Sequence, residues 1–306
     1  MARKRKGQKI DGWIAIDKSY GMGSTNVVGK CRYLTKAQKA GHAGTLDPLA
    51  TGVLPIAFGE ATKTIPFITD AKKTYQFTVT WGESRTTDDV EGDVTDTSDI
   101  RPSEQDISHA ISSFLGKIKQ VPPAFSALKV DGKRAYDLAR AGEIFELKER
   151  EVEIFSLKLL EVKTNEATFE MECSKGTYVR SIGRDLALQL GTCGHISMLR
   201  RTKVGPFDLA STISLVKLEE LVHSAPLEGW ILNVVTVLDD ILALAVTKEQ
   251  ADFLKNGGFI PRDDIRDSLP PSSNVGLIFK AMQGDKLVAL CELDQKFLRP
   301  TRVFNL

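Results

Sequence analysis

A strict alternation of apolar and polar side chains over residues 75–81 is the feature that most constrains the fold of this chain. The pattern is typical of a strand that buries one face in a sheet. The predicted inward face carries Tyr75, Phe77, Val79 and Trp81. Residues 167–173 repeat the alternation, so we predict a second strand there.

Helical spacing alternates with these strands. Apolar residues recur three or four positions apart over residues 179–190, just before Gly191. Residues 103–106 resemble a capping box that opens another helix, which Gly116 ends. Strand and helix alternate, so we predict a main body of mixed α and β structure.

The pattern changes after about residue 240. A capped helix over residues 247–256 precedes short predicted strands near 275–280 and 287–293. We therefore divide the chain into a main body, residues 1–240, and a small β-rich domain, residues 241–306. Within the main body, residues 121–147 are rich in Pro and Gly, and we predict a functional excursion because unstructured connections of that length usually bind something.

Composition excludes several classes of protein. The 306 residues are 42% hydrophobic, which supports a well-buried core. No run approaches the roughly 18 to 20 apolar residues of a membrane span and no signal peptide is visible, so we expect a cytoplasmic protein. The four cysteines form no CxxC pair and the four histidines no HExxH motif, so we predict no metal.

Charge is balanced overall but uneven along the chain. A net charge of +1 argues against indiscriminate coating of nucleic acid, yet residues 1–9 hold five cations and no acid. Ordinary solvated surface is one interpretation; a basic face for an RNA-sized partner, with residues 1–9 as an RNA-contacting arm, is the other. The remaining basic clusters are Lys36 and Lys39, Lys72 and Lys73, Lys133 and Arg134, and Arg200, Arg201 and Lys203.

One carboxylate, Asp47, stands within the segment GHAGTLDPLATG, residues 41–52. Glycines and Pro48 indicate tightly turning backbone, and the flanking leucines can exclude water from the acid. Such surroundings strengthen a carboxylate as an electrostatic element or nucleophile. The alternative is an Asx turn or a helix N-cap.

Four long motifs resemble those of bacterial tRNA pseudouridine synthases of the TruB type. They are GHAGTLDPLATGVLPIAFGEATK, Lys73-Thr-Tyr75, VPPAFSALKVDGKRAYDLAR and SKGTYVRSIGRDL, and the resemblance covers about residues 10–215. The C-terminal part resembles that family's PUA-like RNA-binding domain more loosely. The resemblance implies an α+β fold with a mixed, largely antiparallel central sheet flanked by helices and loops.

The resemblance also implies a reaction, the isomerisation of uridine 55 to pseudouridine in the T arm of tRNA. The base–ribose bond breaks and the sugar rejoins base carbon 5, without a cofactor. A base inside the T loop must be flipped out to be reached. We expect a monomer without an obligatory protein partner, and a secondary role in tRNA folding is a further expectation.

Three residues fall on the family's catalytic positions. Asp47 matches the catalytic aspartate and Arg180 its basic partner. Tyr75 matches the aromatic residue that stacks on the target base, and its phenol is a candidate for proton transfer. The sequence leaves open whether Asp47 adds covalently to ribose or base, or assists cleavage electrostatically. Taken alone, Arg180 could be a surface residue and Tyr75 a core residue.

Substrate contacts follow from the same resemblance. Tyr178 and Leu199 would line the pocket, and His42 would fill the space that the flipped base leaves. Lys18, in a segment resembling the family's DKPxGxTS motif but with Ser19 and Gly23 as departures, would support the RNA or the active-site loop. Residues 121–147 resemble the family's mobile thumb, whose phosphate contacts would be Lys129, Lys133 and Arg134.

Other functions are less well supported. Gly21 and Gly23 precede a helix, but neither GxGxxG nor a Walker lysine is present, so we set a nucleotide cofactor aside. A protein that binds or folds tRNA without chemistry is the alternative from another class. The pairing of Asp47 with Arg180 argues against it.

Overall fold

The computed structural model describes residues 7–270 and 273–306. The helices, in chain order, are α1 (Ser24–Thr35), α2 (Ile65–Asp70), α3 (Glu104–Ala110), α4 (Ala135–Arg140), α5 (Val179–Gln189), α6 (Leu215–Ser224) and α7 (Lys248–Lys255). The strands are β1 (Gly12–Lys18), β2 (Ala40–His42), β3 (Thr51–Phe58), β4 (Lys73–Trp81), β5 (Glu83–Arg85), β6 (Val94–Thr97), β7 (Gly116–Gln120), β8 (Lys129–Val130), β9 (Lys133–Arg134), β10 (Arg150–Lys163), β11 (Glu166–Cys173), β12 (Gly194–Val204), β13 (Phe207–Asp208), β14 (Thr212–Ile213), β15 (Leu242–Ala245), β16 (Ile260–Pro261), β17 (Ile278–Gln283), β18 (Lys286–Leu293) and β19 (Phe297–Val303).

A large central sheet organises the main body. Its strands follow the order β14-β1-β3-β12-β4-β11-β10-β7, with β13 beside β12 and β2 beside β3. The pairs β1–β14 and β3–β12 are parallel and the other pairs antiparallel. The predicted mixed, largely antiparallel sheet is therefore confirmed.

The predicted strand over residues 75–81 lies at the centre of this sheet, as part of β4. Its alternate side chains are buried, and Phe77 stacks on Phe169 of β11 with ring centroids 5.3 Å apart. Helix α5 packs on the same face, where Gly183 lies so close to Ile196 of β12 that a Cβ would come within 2.6 Å of its Cδ1. This close packing fixes α5 against the sheet and with it the residues of its first turn.

A second sheet follows in the C-terminal part, in the order β15-β17-β18-β19-β16, with α7 packed against it. This is the small β-rich unit that the sequence predicts after residue 240. Residues 121–147 contain the short hairpin β8–β9 and the helix α4. The proposed division at residues 240/241 and the role of residues 121–147 as a thumb stay predictions.

Candidate active site

Asp47 lies in the loop between β2 and β3, and two buried side chains fix that loop. The Ser24 hydroxyl, at the start of α1, accepts a hydrogen bond from Leu46 N at 2.8 Å and donates one to Leu46 O at 2.9 Å. The Lys18 ammonium, at the end of β1, donates to Pro48 O at 3.0 Å. Because both neighbours of Asp47 are held, the carboxylate is presented with little backbone freedom.

Arg180 faces Asp47 from the first turn of α5. Its Nε lies 3.0 Å from Asp47 Oδ2 and 3.7 Å from Asp89 Oδ2. Nη1 and Nη2 donate to Thr87 O at 2.8 Å and Phe125 O at 2.9 Å, which fixes the guanidinium plane. The Nε–H does not meet hydrogen-bond geometry with the Asp47 carboxylate, so this contact is an ion pair.

The two partners of this ion pair differ in exposure. The Arg180 side chain is 6% exposed, whereas that of Asp47 is 41% exposed. A buried cation thus holds a carboxylate that faces the solvent side. The Asp47 carboxylate pairs with Arg180 and does not cap a helix. The fold thereby brings together two residues that are far apart in the sequence.

Asp47 opens onto a cleft of about 700 Å³. Tyr75, Tyr178, Leu199 and Arg134 line the same cleft. A volume of this size suits a nucleotide-sized ligand. Tyr75 is buried, and burial raises the pKa of its phenol, so the hydroxyl stays protonated at neutral pH and can act as a hydrogen-bond donor.

A second arginine, Arg201, supports the loop from beneath. It is 1% exposed, and its Nε and Nη2 donate to Val53 O at 2.8 Å and Gly44 O at 3.0 Å. Gly52 has φ +98°, and a Cβ there would collide with Arg201 O, so only glycine lets β3 approach β12 this closely. The expectation that Arg201 belongs to a basic surface is wrong, because it is a buried support of the segment that carries Asp47.

Lys18 and Lys73 are also buried. Lys18 is 0% exposed, and its Nζ donates to Ser19 O at 3.1 Å and Met22 O at 2.6 Å besides Pro48 O; burial lowers its pKa to about 8. These contacts favour support of the loop that carries Asp47 over support of the RNA, and the role of Lys18 stays a prediction. Lys73, predicted on the surface, is buried as well and donates to Ala71 O at 2.6 Å.

Residues 121–147 carry three exposed cations on one hairpin, and one of them lines the cleft. Lys129 pairs with Arg134 across the hairpin, and Lys133 lies on the same turn. All three residues are exposed, Arg134 lines the cleft, and Lys133 Nζ lies 3.4 Å from Glu143 Oε1. The hairpin is therefore a cationic surface that a polyanion can reach.

His42 ends β2 and is half-buried, so it is a strand residue and not a solvent-facing turn. Burial, followed by the charge of Arg201, lowers the pKa of its imidazole, which is therefore neutral at neutral pH. The cleft wall begins two residues further along the chain, at Gly44, and His42 itself does not line it. A neutral ring desolvates at lower cost than a charged one.

Sequence reasoning missed Asp89 and misplaced Arg201. Asp89 is buried; its carboxylate accepts hydrogen bonds from Thr87 Oγ1 at 2.5 Å and Glu91 N at 3.0 Å. It lies in an acidic segment that is otherwise typical of solvated surface. Only the fold shows that this acid turns inward toward Arg180.

The described residues also bear on metal binding, thiol reactivity and membrane insertion. In residues 7–270 and 273–306 there is no group of three or more His, Cys, Asp or Glu placed to hold a metal ion. Burial raises the pKa of Cys31, Cys173 and Cys291 to about 12, which leaves these thiols unreactive at neutral pH. Within the same ranges no helix is long and apolar enough to cross a membrane. The predicted RNA-contacting arm lies largely outside them, since residues 1–6 are not described.

Comparisons with known proteins agree on one family. Residues 32–179 match the model of the TruB family pseudouridylate synthase N-terminal domain, and residues 180–243 that of the tRNA pseudouridylate synthase B C-terminal domain. The tRNA pseudouridine synthase B of Caulobacter vibrioides is 53% identical over 100% of both chains, and that of Rhizobium johnstonii 48% over 99% of this chain and 98% of its own. A crystal structure of a Cbf5-Nop10-Gar1 complex matches with a TM-score of 0.74 and 25% identity over 96% of this chain and 85% of that chain. The chain belongs to the TruB family of pseudouridylate synthases.

Proposed function

We propose that this protein converts uridine 55 in the T arm of tRNA to pseudouridine, with Asp47 as the essential carboxylate. The observation that carries the proposal is the Asp47–Arg180 ion pair, 3.0 Å apart, at the floor of a nucleotide-sized cleft. The printed names of the relatives, tRNA pseudouridine synthase B, support tRNA as the substrate. The proposal includes a cytoplasmic monomer that needs no protein partner.

The reaction needs no oxidant or reductant. The bond between base N1 and ribose C1′ breaks, a bond between base C5 and C1′ forms, C5 loses its hydrogen as a proton, and N1 gains one. Asp47 is the group positioned to act on the sugar or the base, either as a nucleophile or by stabilising positive charge on the ribose. Arg180, fixed by two backbone carbonyls, orients that carboxylate.

The walls of the cleft would receive the flipped nucleotide. Tyr75 would stack on the base, with a protonated phenol available for proton transfer, while Tyr178 and Leu199 enclose it. Unstacking a base costs a few kcal/mol, which stacking and pocket contacts offset. His42, a neutral residue two positions before the cleft wall at Gly44, would fill the space left in the RNA.

The exposed cations of residues 121–147 would bind the phosphates of the T arm. Arg134 lines the cleft, and Lys129 and Lys133 are exposed on the same hairpin. Phosphate contacts of this kind position an RNA without reading its sequence. The proposal includes a second function, in which the protein helps tRNA to fold, because flipping a T-loop base requires the elbow of the tRNA to open.

Mapping the modified position tests this proposal. Unmodified tRNA is incubated with the full-length protein, treated with a carbodiimide that labels pseudouridine, and read by primer extension. A single stop that reports position 55, absent from a tRNA with cytidine there, is the expected result. Modification at another uridine would overturn the assigned position, and tight binding without modification would favour the RNA-folding function alone.

A further inference from the structure

Ser126 carries an unexplained buried hydroxyl. It lies in the segment 121–147 and lines the cleft onto which Asp47 opens. The residue is 4% exposed, and within the described parts of the chain its Oγ has no hydrogen-bond partner. A hydroxyl withdrawn from water without a partner costs about 1–3 kcal/mol, so such a group in a folded protein calls for a physical explanation.

The backbone of Ser126 is fully used, which fixes the residue in place. Its N–H donates to Ala124 O at 3.0 Å, and its carbonyl accepts from Tyr136 N at 3.0 Å. The preceding carbonyl, Phe125 O, accepts from Arg180 Nη2 at 2.9 Å. The residue before Ser126 thus binds the guanidinium that faces the catalytic carboxylate. Of the polar groups of Ser126, only the hydroxyl is without a partner in the described residues.

We propose that Ser126 contacts the substrate: when the target nucleotide enters the cleft, the segment 121–147 shifts enough to uncover the Ser126 hydroxyl, which then forms a hydrogen bond with an oxygen atom of that nucleotide. The inference rests on the proposed function and adds a substrate-contacting residue to it. In the free protein the hydroxyl has no partner and only its desolvation cost is present, whereas in the complex the new hydrogen bond stabilises the bound RNA. Loss of the hydroxyl should therefore leave the free protein at least as stable and should weaken the interaction with the substrate.

A matched control lies on the neighbouring helix. Ser181 is also buried, and its hydroxyl donates to Val121 O at 2.8 Å in the same segment that carries Ser126. Ser→Ala removes the same atom at either position. Ser181→Ala removes one of the two hydrogen bonds that Val121 O accepts, the other coming from Arg184 Nη2 at 2.9 Å, and should lower the melting temperature. Ser126→Ala removes an unsatisfied group and should leave the melting temperature unchanged or raised.

The experiment compares three full-length proteins, the wild type, Ser126→Ala and Ser181→Ala. We measure the melting temperature without RNA, the affinity for a T-arm RNA, and kcat/KM for tritium release from that RNA labelled at uridine C5. A second RNA replaces the target nucleotide with a propyl spacer. Wild-type tritium release must be seen first, because its absence would count against the proposed function and not against Ser126.

The expected result for Ser126→Ala is an undiminished melting temperature with kcat/KM reduced about tenfold, the equivalent of one hydrogen bond of about 1.4 kcal/mol. Its affinity for the spacer RNA should equal that of the wild type. A melting temperature lowered as in Ser181→Ala would show that the hydroxyl already has a partner. An unchanged kcat/KM, or an equal loss of affinity for the spacer RNA, would also overturn the proposal.

Discussion

At the scale of single residues, the geometry of the site depends on one arginine that contacts two carboxylates. Arg180 faces both Asp47 and Asp89 and donates to two backbone carbonyls. Asp89 is itself fixed by Thr87, so it holds the guanidinium in the orientation that Asp47 requires. The position of the exposed carboxylate therefore depends on a buried one.

Asp89→Asn should slow the reaction without weakening RNA binding. The substitution keeps the shape of the side chain but removes the charge that orients Arg180, and we expect turnover to fall by about tenfold or more, some 1.4 kcal/mol of transition-state stabilisation. Single-turnover rates and filter-binding affinities measure the two effects separately. Asp96→Asn, at an exposed position in β6, is the matched control. Equal rates for both variants would contradict the orienting role of Asp89.

Lys18→Met should change how stability depends on pH. Burial lowers the pKa of Lys18 from 10.5 to about 8, so between these values the unfolded chain holds a proton that the folded chain lacks. The wild type therefore gains stability from this group as pH rises through the window, and the variant does not. We expect the difference in unfolding free energy, wild type minus variant, to be larger at pH 9.5 than at pH 7. Denaturant titrations at both pH values test this, and a constant difference would show an ordinary lysine.

The residue types of the site were predictable only in part. The apolar, glycine-rich surroundings single out Asp47, and the family resemblance pairs it with Arg180. Asp89 and Arg201 could not be found in this way, because an acid in an acidic run and an arginine in a basic cluster look like solvated surface. Burial is decided by the packing of distant strands, which residue spacing does not contain.

At the scale of elements, periodicity predicted the strands that bury one face and failed for the others. The alternation over residues 75–81 and 167–173 corresponds to β4 and β11, and the capping box at Ser103 opens α3. Strand β12 pairs with β4 through two register irregularities and runs parallel to β3 at Arg200 and Arg201. Such irregularities break the alternation, so the strand that joins the two halves of the sheet was not visible in the sequence.

The hairpin β8–β9 is the element whose charge should govern RNA affinity. Lys133→Glu places a negative charge on the hairpin, and we expect weaker T-arm binding and a salt dependence shallower by about one unit in the slope of log K against log salt. Lys163→Glu is the matched control, since Lys163 is also exposed and paired with a glutamate, at the far end of β10. Binding titrations at several salt concentrations measure the slope. Identical slopes for the two variants would contradict the phosphate-binding role of the hairpin.

At the scale of the whole molecule, the C-terminal sheet is packed against the main body and is not a loose appendix. Phe304 shares a buried cluster with Trp13 and Phe207. A hydrogen bond also joins the two parts, since Lys63 Nζ donates to Val303 O at 2.7 Å. The sequence change near residue 240 marks a new sheet but carries no sign of this shared core, because the contacting residues come from opposite ends of the chain.

Phe304→Ala should destabilise the molecule as one unit. Removal of a buried phenylalanine costs about 3–5 kcal/mol, and the shared core should keep a single unfolding transition. Thermal unfolding followed by circular dichroism measures both the shift and the number of transitions. Phe253→Ala, at an exposed position on α7, is the control and should have little effect. An early separate transition in Phe304→Ala would show that the C-terminal sheet unfolds independently.

Tritium release from a T-arm RNA labelled at uridine C5 tests the central claim most directly, because the new bond between C5 and the ribose expels that hydrogen. The wild type is compared with Asp47→Asn, which keeps the shape of the side chain and removes its charge, and with Asp99→Asn at an exposed position. We predict release by the wild type and Asp99→Asn, and none by Asp47→Asn despite normal RNA binding. Undiminished release by Asp47→Asn would contradict the role of this carboxylate.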